Sequence, residues 1–161
     1  MIDIKIKPEL KSGFTLLEIM LVGAIIAILA IAIFGQTIFQ VDKARDARRI
    51  SDMANIKRAM EDKAGDDACY PPPPLPACGS DAWLPYIKNF PCESASDFYY
   101  YTDPANPTCP SYYMLFTDLT FEGNAASDDV GCKDGCSYPG ASSYPYDYYV
   151  ASPNAPLPAT P

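Results

Sequence analysis

Histidine is missing from this 161-residue chain, tryptophan occurs once, and lysine and arginine thin out after residue 63. Without histidine the commonest general base near neutral pH is gone. The chain also has no Gly-rich phosphate loop and no Gly-x-Ser-x-Gly nucleophile turn. Carboxylates are plentiful, but abundance is not a site. No residue is assigned to catalysis, and an enzyme is not expected. A zinc centre is not expected either, because it needs closely paired thiolates and commonly histidine, and no Cys-x-x-Cys is present. The one Asn-x-Ser/Thr sequence, Asn106-Pro107-Thr108, is blocked as a glycan acceptor by its proline.

An apolar run comes first. Residues 14–34 carry a single charge, Glu18, and number 21, enough for a helix across a hydrocarbon core of roughly 30 Å. A carboxylate inside such a run costs roughly 2.5–3.5 kcal/mol in a bilayer, so its placement asks for a neutralising partner. Beyond Gln36 the chain turns polar without a break signal. One helix is expected from Phe14 to about Ala64, ending near Gly65. At 1.5 Å per residue it would be roughly 75 Å long. Within it Ile50, Met53, Ile56 and Met60 fall on one arc at helical spacing, read as the face that packs on the chain's own head. Asp42 with Arg45, Asp46 with Arg49 and Arg58 with Asp62 have the spacing of ion pairs along a helix. Over residues 14–63 seven basic and six acidic residues interleave, which favours a solvated helix surface over a nucleic-acid site.

From residue 64 onward twelve acids face only Lys88 and Lys133, and all six cysteines and all twelve tyrosines lie there. So few residues make a modest core that benefits from covalent staples. Cys69, Cys78, Cys92, Cys109, Cys132 and Cys136 are even in number, and three disulfides are expected. Pairing between sequence neighbours is favoured, Cys69–Cys78, Cys92–Cys109 and Cys132–Cys136. The segment 70–76 reads Tyr-Pro-Pro-Pro-Pro-Leu-Pro, an extended connector. Strands are expected over 97–102, 112–120 and 146–151, rich in aromatic and β-branched residues. They suit an antiparallel three-stranded sheet packed on the helix. The fold class is α+β: a long N-terminal helix with a small, disulfide-stapled sheet head over 65–151. The tail, 152–161, has four prolines in ten residues and is expected to be poorly ordered. Asp128, Asp129 and Asp134 lie in a Gly-containing loop read first as a solvated acidic loop and second as a site for a hard cation such as calcium, although the spacing is not that of an EF-hand. No other cofactor is expected. The dense tyrosines suggest an aromatic contact surface, much of it used in the core.

Residues Lys11-Ser12-Gly13-Phe14-Thr15-Leu16-Leu17-Glu18 and the apolar run after them closely resemble the start of a type IV pilin or a type II secretion pseudopilin. The resemblance implies a leader, residues 1–13, removed by a prepilin peptidase between Gly13 and Phe14. It implies N-methylation of Phe14 and pairing of Glu18 with the freed amino group of a neighbouring subunit. It implies a helix over 14–64 that sits in the inner membrane before assembly and then forms a filament core, extracted by ATP-driven machinery. Lys5, Lys7 and Lys11 before the run set the N-terminus inside and the rest outside. The function expected is that of a structural subunit of a type IV pilus or related extracellular filament, built from many copies. The alternatives are a secretion or competence pseudopilin forming a short periplasmic pseudopilus, and a membrane-anchored extracytoplasmic binding module that uses the Tyr-rich head. Calcium in the acidic loop also gains support from the resemblance.

Overall fold

The computed structural model describes Gly13, residues 15–92, Ser94, residues 97–121 and residues 124–161. The expected leader up to Ser12, and Phe14, lie outside the described residues. The order of elements is α1 (Leu16–Asp67), β1 (Tyr99–Thr102), β2 (Tyr113–Thr117), α2 (Ala125–Asp129) and β3 (Tyr148–Ala151). The chain divides into two units, Met1–Ile38 and Phe39–Pro161.

In the first unit, α1 is opened by Thr15. Its Oγ1 accepts from the backbone N–H of Glu18 at 3.3 Å, and its carbonyl accepts from Glu18 and Ile19. Thr15-Leu16-Leu17-Glu18 is thus a capping-box sequence, with an acid on the first turn, where the helix dipole favours negative charge. The apolar side chains that follow are open to their surroundings, from Leu16 at 78% exposed to Ile31 at 76%. Among the described residues no helix is long and apolar enough to cross a membrane.

The second unit is built on a three-stranded antiparallel sheet in the order β1-β2-β3, with Tyr100 opposite Leu115 and Leu115 opposite Val150. The strands are shorter than their apolar runs suggest, and β2, the centre strand, is buried at every position. Its alternation serves two cores. Tyr113 and Leu115 pack with Met53, Ile56, Ala59 and Met60 of α1, and with Trp83 and Phe90. Met114 and Phe116 pack with Cys132 and Cys136 on the other face. The helical arc read from Met53, Ile56 and Met60 is therefore the face that meets the sheet. Ile50 stays at its rim, half-buried.

Helix α1 runs to Asp67, past Gly65, and turns at Ala68, whose φ of 61° is the left-handed conformation that usually calls for glycine. The next residue, Cys69, is bridged to Cys109, and Tyr70 N–H donates to the Pro110 carbonyl at 3.1 Å. The helix end is thereby tied to the β1–β2 connection. Cys78 bridges Cys92 and closes the loop that carries Trp83 and Phe90, while Cys132 bridges Cys136. The pairings Cys69–Cys78 and Cys92–Cys109 are thus corrected. The helix end needs a staple to the distant sheet connection, which nearness in sequence does not reveal. Between the third pair, Gly135 has φ 94°, and a Cβ there would run into the Tyr144 carbonyl.

The tail does not hang loose. Ala159 and Ser137 exchange backbone hydrogen bonds at 2.9 Å each, and Asn154 Nδ2 donates to the Ser111 carbonyl at 2.6 Å. Proline removes donors but leaves the intervening alanine and asparagine free to pair, which explains an anchored Pro-rich segment.

Candidate assembly surface

Two sets of groups are candidates for a functional surface: the start of α1, and the shell of charge and tyrosine on the head. At the start of α1, Gly13 is exposed and Glu18 is exposed on the first turn, followed by an uncharged stretch to Ile31. A carboxylate at a capped helix start has one favourable neighbour in the dipole, and it keeps acceptor capacity for an external cation.

At the head, α1 uses charge in a way its spacing conceals. Asp46 is completely buried. Its Oδ1 accepts from Thr120 N–H at 2.8 Å, and its Oδ2 accepts from Phe121 N–H at 2.9 Å and from Asn124 Nδ2 at 3.3 Å. Arg49 Nη1 donates to the Asp118 carbonyl at 2.7 Å, and Lys43 Nζ lies 4.7 Å from the centre of the Phe121 ring. Asp46 and Arg49, expected to pair with one another along the helix, instead hold the loop after β2, as Lys43 does. Asn124 then caps α2 by accepting from Ala126 N–H.

Further along, Glu61 accepts from Tyr70 Oη at 2.8 Å and from Tyr113 Oη at 3.3 Å. Burial, then the hydrogen bond to Glu61, pushes Tyr70 up to about 12. Tyr86 Oη donates to Asp66 at 2.7 Å, and that bond chiefly raises Tyr86 to about 12. Asp103 is held near 2 because it accepts from Asn106, Ser111 and Ala105 N–H, an arrangement that locks the β1–β2 connection. Asp147 is pushed the other way, to about 6, by burial first and then by a hydrogen bond and like charge from Asp118.

No family model matches the chain, and no solved structure matches it. The chain is similar to type II secretion system core protein G of Vibrio cholerae serotype O1. The two are 25% identical over 136 residues, which cover 78% of this chain and 93% of the relative. At that distance the similarity supports the resemblance to pilins and pseudopilins drawn from residues 11–22.

The remaining expected site residues are placed as follows. All six cysteines are bridged, and none is free. Asp128 and Asp129 lie on α2 and Asp134 in the turn after Cys132, all exposed. Lys133 Nζ is 4.0 Å from Asp128 Oδ1. Among the described residues no group of three or more acids, cysteines or histidines is placed to hold a metal ion. Among the described residues the structure thus does not bring Asp128, Asp129 and Asp134 together as a ligand set, the second of the two readings of this loop.

The tyrosines form a ladder on the sheet face away from α1. Tyr101 stacks on Tyr138 at 4.9 Å, Tyr138 on Tyr99 at 5.4 Å and Tyr99 on Tyr146 at 5.6 Å. These rings turn their faces to one another. They serve chiefly as the second core and its rim, as expected for most of them.

Sequence reasoning missed two roles, the cap at Thr15 and the loop anchor at Asp46. Thr15 was legible, since Thr-x-x-Glu before an apolar run is a capping signal. Asp46 was not, because its partners lie 74 to 78 residues away.

Proposed function

We propose that the chain is a structural subunit of a type IV pilus or a closely related extracellular filament. The observation that carries the reading is the start of α1, a capped helix whose lone carboxylate, Glu18, precedes an exposed and uncharged apolar stretch. Such a surface needs cover, and burying it against identical surfaces contributes roughly 25 cal/mol per Å² removed from water. In the reading proposed, a prepilin peptidase cuts after Gly13 and methylates Phe14. The new amino group supplies the cation that Glu18 requires. Before assembly the apolar helix resides in the inner membrane, with the head outside. Lipid already solvates those side chains, so extraction gains little by burial alone and calls for an ATP-driven partner.

The similarity to a type II secretion core protein favours a second reading, a pseudopilin that builds a short periplasmic filament. Shearing cells and identifying this chain in the released filaments separates the two. Surface filaments containing it support the pilus. A chain confined to the envelope, and needed for protein secretion, supports the pseudopilus. The intact mass of the membrane-extracted protein tests what both share, a chain starting at methylated Phe14. A chain still starting at Met1 in cells with an active prepilin peptidase would overturn both.

A further inference from the structure

A cleft of about 290 Å³ opens between α1 and the loop that follows Trp83. Asn55 and Arg58 line it from the helix, and Tyr86, Lys88 and Asn89 line it from the loop. The wall is fixed from several sides. Tyr86 Oη is anchored to Asp66 and Ile87 N–H to the Trp83 carbonyl. Asn89 N–H donates to Asp81 Oδ1 at 2.8 Å, and the Cys78–Cys92 bridge closes the loop's base. This frame sets one of the two lysines found after residue 64 beside an exposed arginine. Among the described residues the lining contains no acid. Arg58 and Lys88 are the charged side chains of the lining itself, with Asp66 and Asp81 bracing its wall through Tyr86 and Asn89, on a head whose composition is strongly acidic.

The complementary feature lies on the other side of the sheet. Cys132 and Cys136 anchor the loop 128–134 to the face made by Met114 and Phe116. Arg58 and Lys88 belong to the side where Tyr113 and Leu115 meet α1 and Trp83. The sheet therefore stands between the cationic cleft and the acidic loop of the same molecule. Lys133 attends to Asp128, while Asp129 and Asp134 are exposed.

We propose that the cleft receives the acidic loop 128–134 of a second copy, with Arg58 and Lys88 pairing with its Asp129 and Asp134. Cleft and loop lie on opposite sides of the sheet, so two copies do not make both contacts with each other at once, and the contact is heterologous, each copy offering one of each. A contact of that kind propagates head to tail and suits an open assembly rather than a closed dimer. The proposal rests on the filament reading and deepens it. It adds an electrostatic lock between heads to the burial of the apolar helices.

The test uses the full chain in its own membranes. Two variants are co-expressed, one Lys88→Arg and the other carrying Asp129→Asn with Asp134→Asn. A zero-length carbodiimide then joins Lys88 to Asp129 or Asp134 as an amide only if two copies touch. That amide in the peptide digest is the expected result, and its absence would overturn the proposal whether or not filaments are made. In parallel, Arg58→Glu with Lys88→Glu should cut filament yield by about tenfold through like-charge contacts. Adding Asp129→Lys and Asp134→Lys to the same chain should restore it, with membrane levels checked by immunoblot. An unchanged yield after the first reversal, or no recovery after the second, overturns the lock. Wild-type cells that yield the amide but no filament would instead sink the filament reading and leave the head contact standing.

Discussion

Ile25 and Ile56 sit in one helix and carry the same side chain, yet half of Ile25 is exposed and Ile56 has no exposed surface at all. The contrast extends through their neighbourhoods. Around Ile56 an apolar arc alternates with Lys57, Arg58 and Asp62, and the arc is covered by β2 and the loop carrying Trp83 and Phe90. Around Ile25 apolar residues occur on every side of the helix, and no charged side chain interrupts them between Glu18 and Ile31. An amphipathic stretch names one partner face, and here the chain itself supplies it. A stretch that is apolar all round has no single inward face. It must be satisfied by lipid or by several neighbours at once. The polar residues of α1 differ in the same way. Asp46 and Arg49 are spent on the chain's own loop, whereas Glu18 is exposed on the first turn, where the helix dipole favours it.

The largest effect expected is on Glu18. Glu18→Ala should abolish filaments while leaving membrane insertion and cleavage intact, because an unpaired charge in a low-dielectric assembly costs roughly 3–5 kcal/mol at every added copy. The cap complicates this, since the residue three positions after Thr15 also serves the helix start. Glu18→Gln resolves the two roles, because glutamine keeps the capping geometry and loses the charge. Filament yield in the shear fraction should be lost in both variants if pairing with the Phe14 amino group is what matters. Normal yield with glutamine would reduce Glu18 to a capping residue and erase the contrast with Asp46.

Next in size is the pair of isoleucines. Ile56→Ala should destabilise the head by about 2–5 kcal/mol, as expected for a truncated and fully packed side chain. Thermal melting of the detergent-solubilised protein measures it. Ile25→Ala should leave that transition where it is and lower assembly instead. A fall in head melting with Ile25→Ala would show that the two stretches depend on one another for stability.

That contrast was partly legible beforehand. Spacing alone picked out Met53, Ile56 and Met60, because a 3.6-residue period survives in any helix with one buried face. The strands were legible as runs of β-branched and aromatic residues, and the sheet keeps them in chain order although the β2–β3 connection carries α2 and the third disulfide. Alternation could not reveal that β2 is covered on both faces, since Tyr113, Met114, Leu115 and Phe116 are all apolar enough for either. Two of the three disulfide pairings were not legible. Cys69 meets Cys109 because the helix end docks beside the β1–β2 connection, a fact of tertiary packing. For Glu18 the local pattern held the whole signal, while Asp46 looked like half of a surface ion pair.

A smaller effect comes from Asp147, whose proton is held up to about 6 by burial and by Asp118. An acid raised in the folded state contributes fully below its ordinary value near 4, and that contribution is lost as pH rises towards 6. The wild-type head should therefore gain stability on acidification from pH 7 to about 5. Asp147→Asn should add about 1 kcal/mol at pH 7, after allowance for solvent screening, and nothing below pH 4. Asp103 does not confound the window, because its lowered value near 2 makes its contribution vanish only in stronger acid. A melting-temperature profile of both proteins from pH 4 to 8 is the measurement. Parallel curves would mean that Asp147 ionises normally.

The smallest effect belongs to the end of α1, and it isolates the head-bound half of the helix. Ala68 holds φ 61°, where an L side chain is strained by roughly 1–2 kcal/mol, while Gly65 sits three residues earlier inside the helix. The glycine is in the wrong place for a left-handed cap. Ala68→Gly should stabilise the head by less than about 1 kcal/mol, because relief of strain is offset by the entropy of a freer unfolded chain. Gly65→Ala should add a similar amount, since its new methyl group meets nothing within 4 Å. The double exchange should be close to additive if the two act separately on cap and helix. Gly23→Ala is the control: it too meets nothing within 4 Å, but it lies in the exposed apolar stretch. It should raise helix propensity there without moving the head transition. A head that melted higher with Gly23→Ala would mean that order at the start of α1 is transmitted to its end, and the two halves would then have to be treated as one cooperative element.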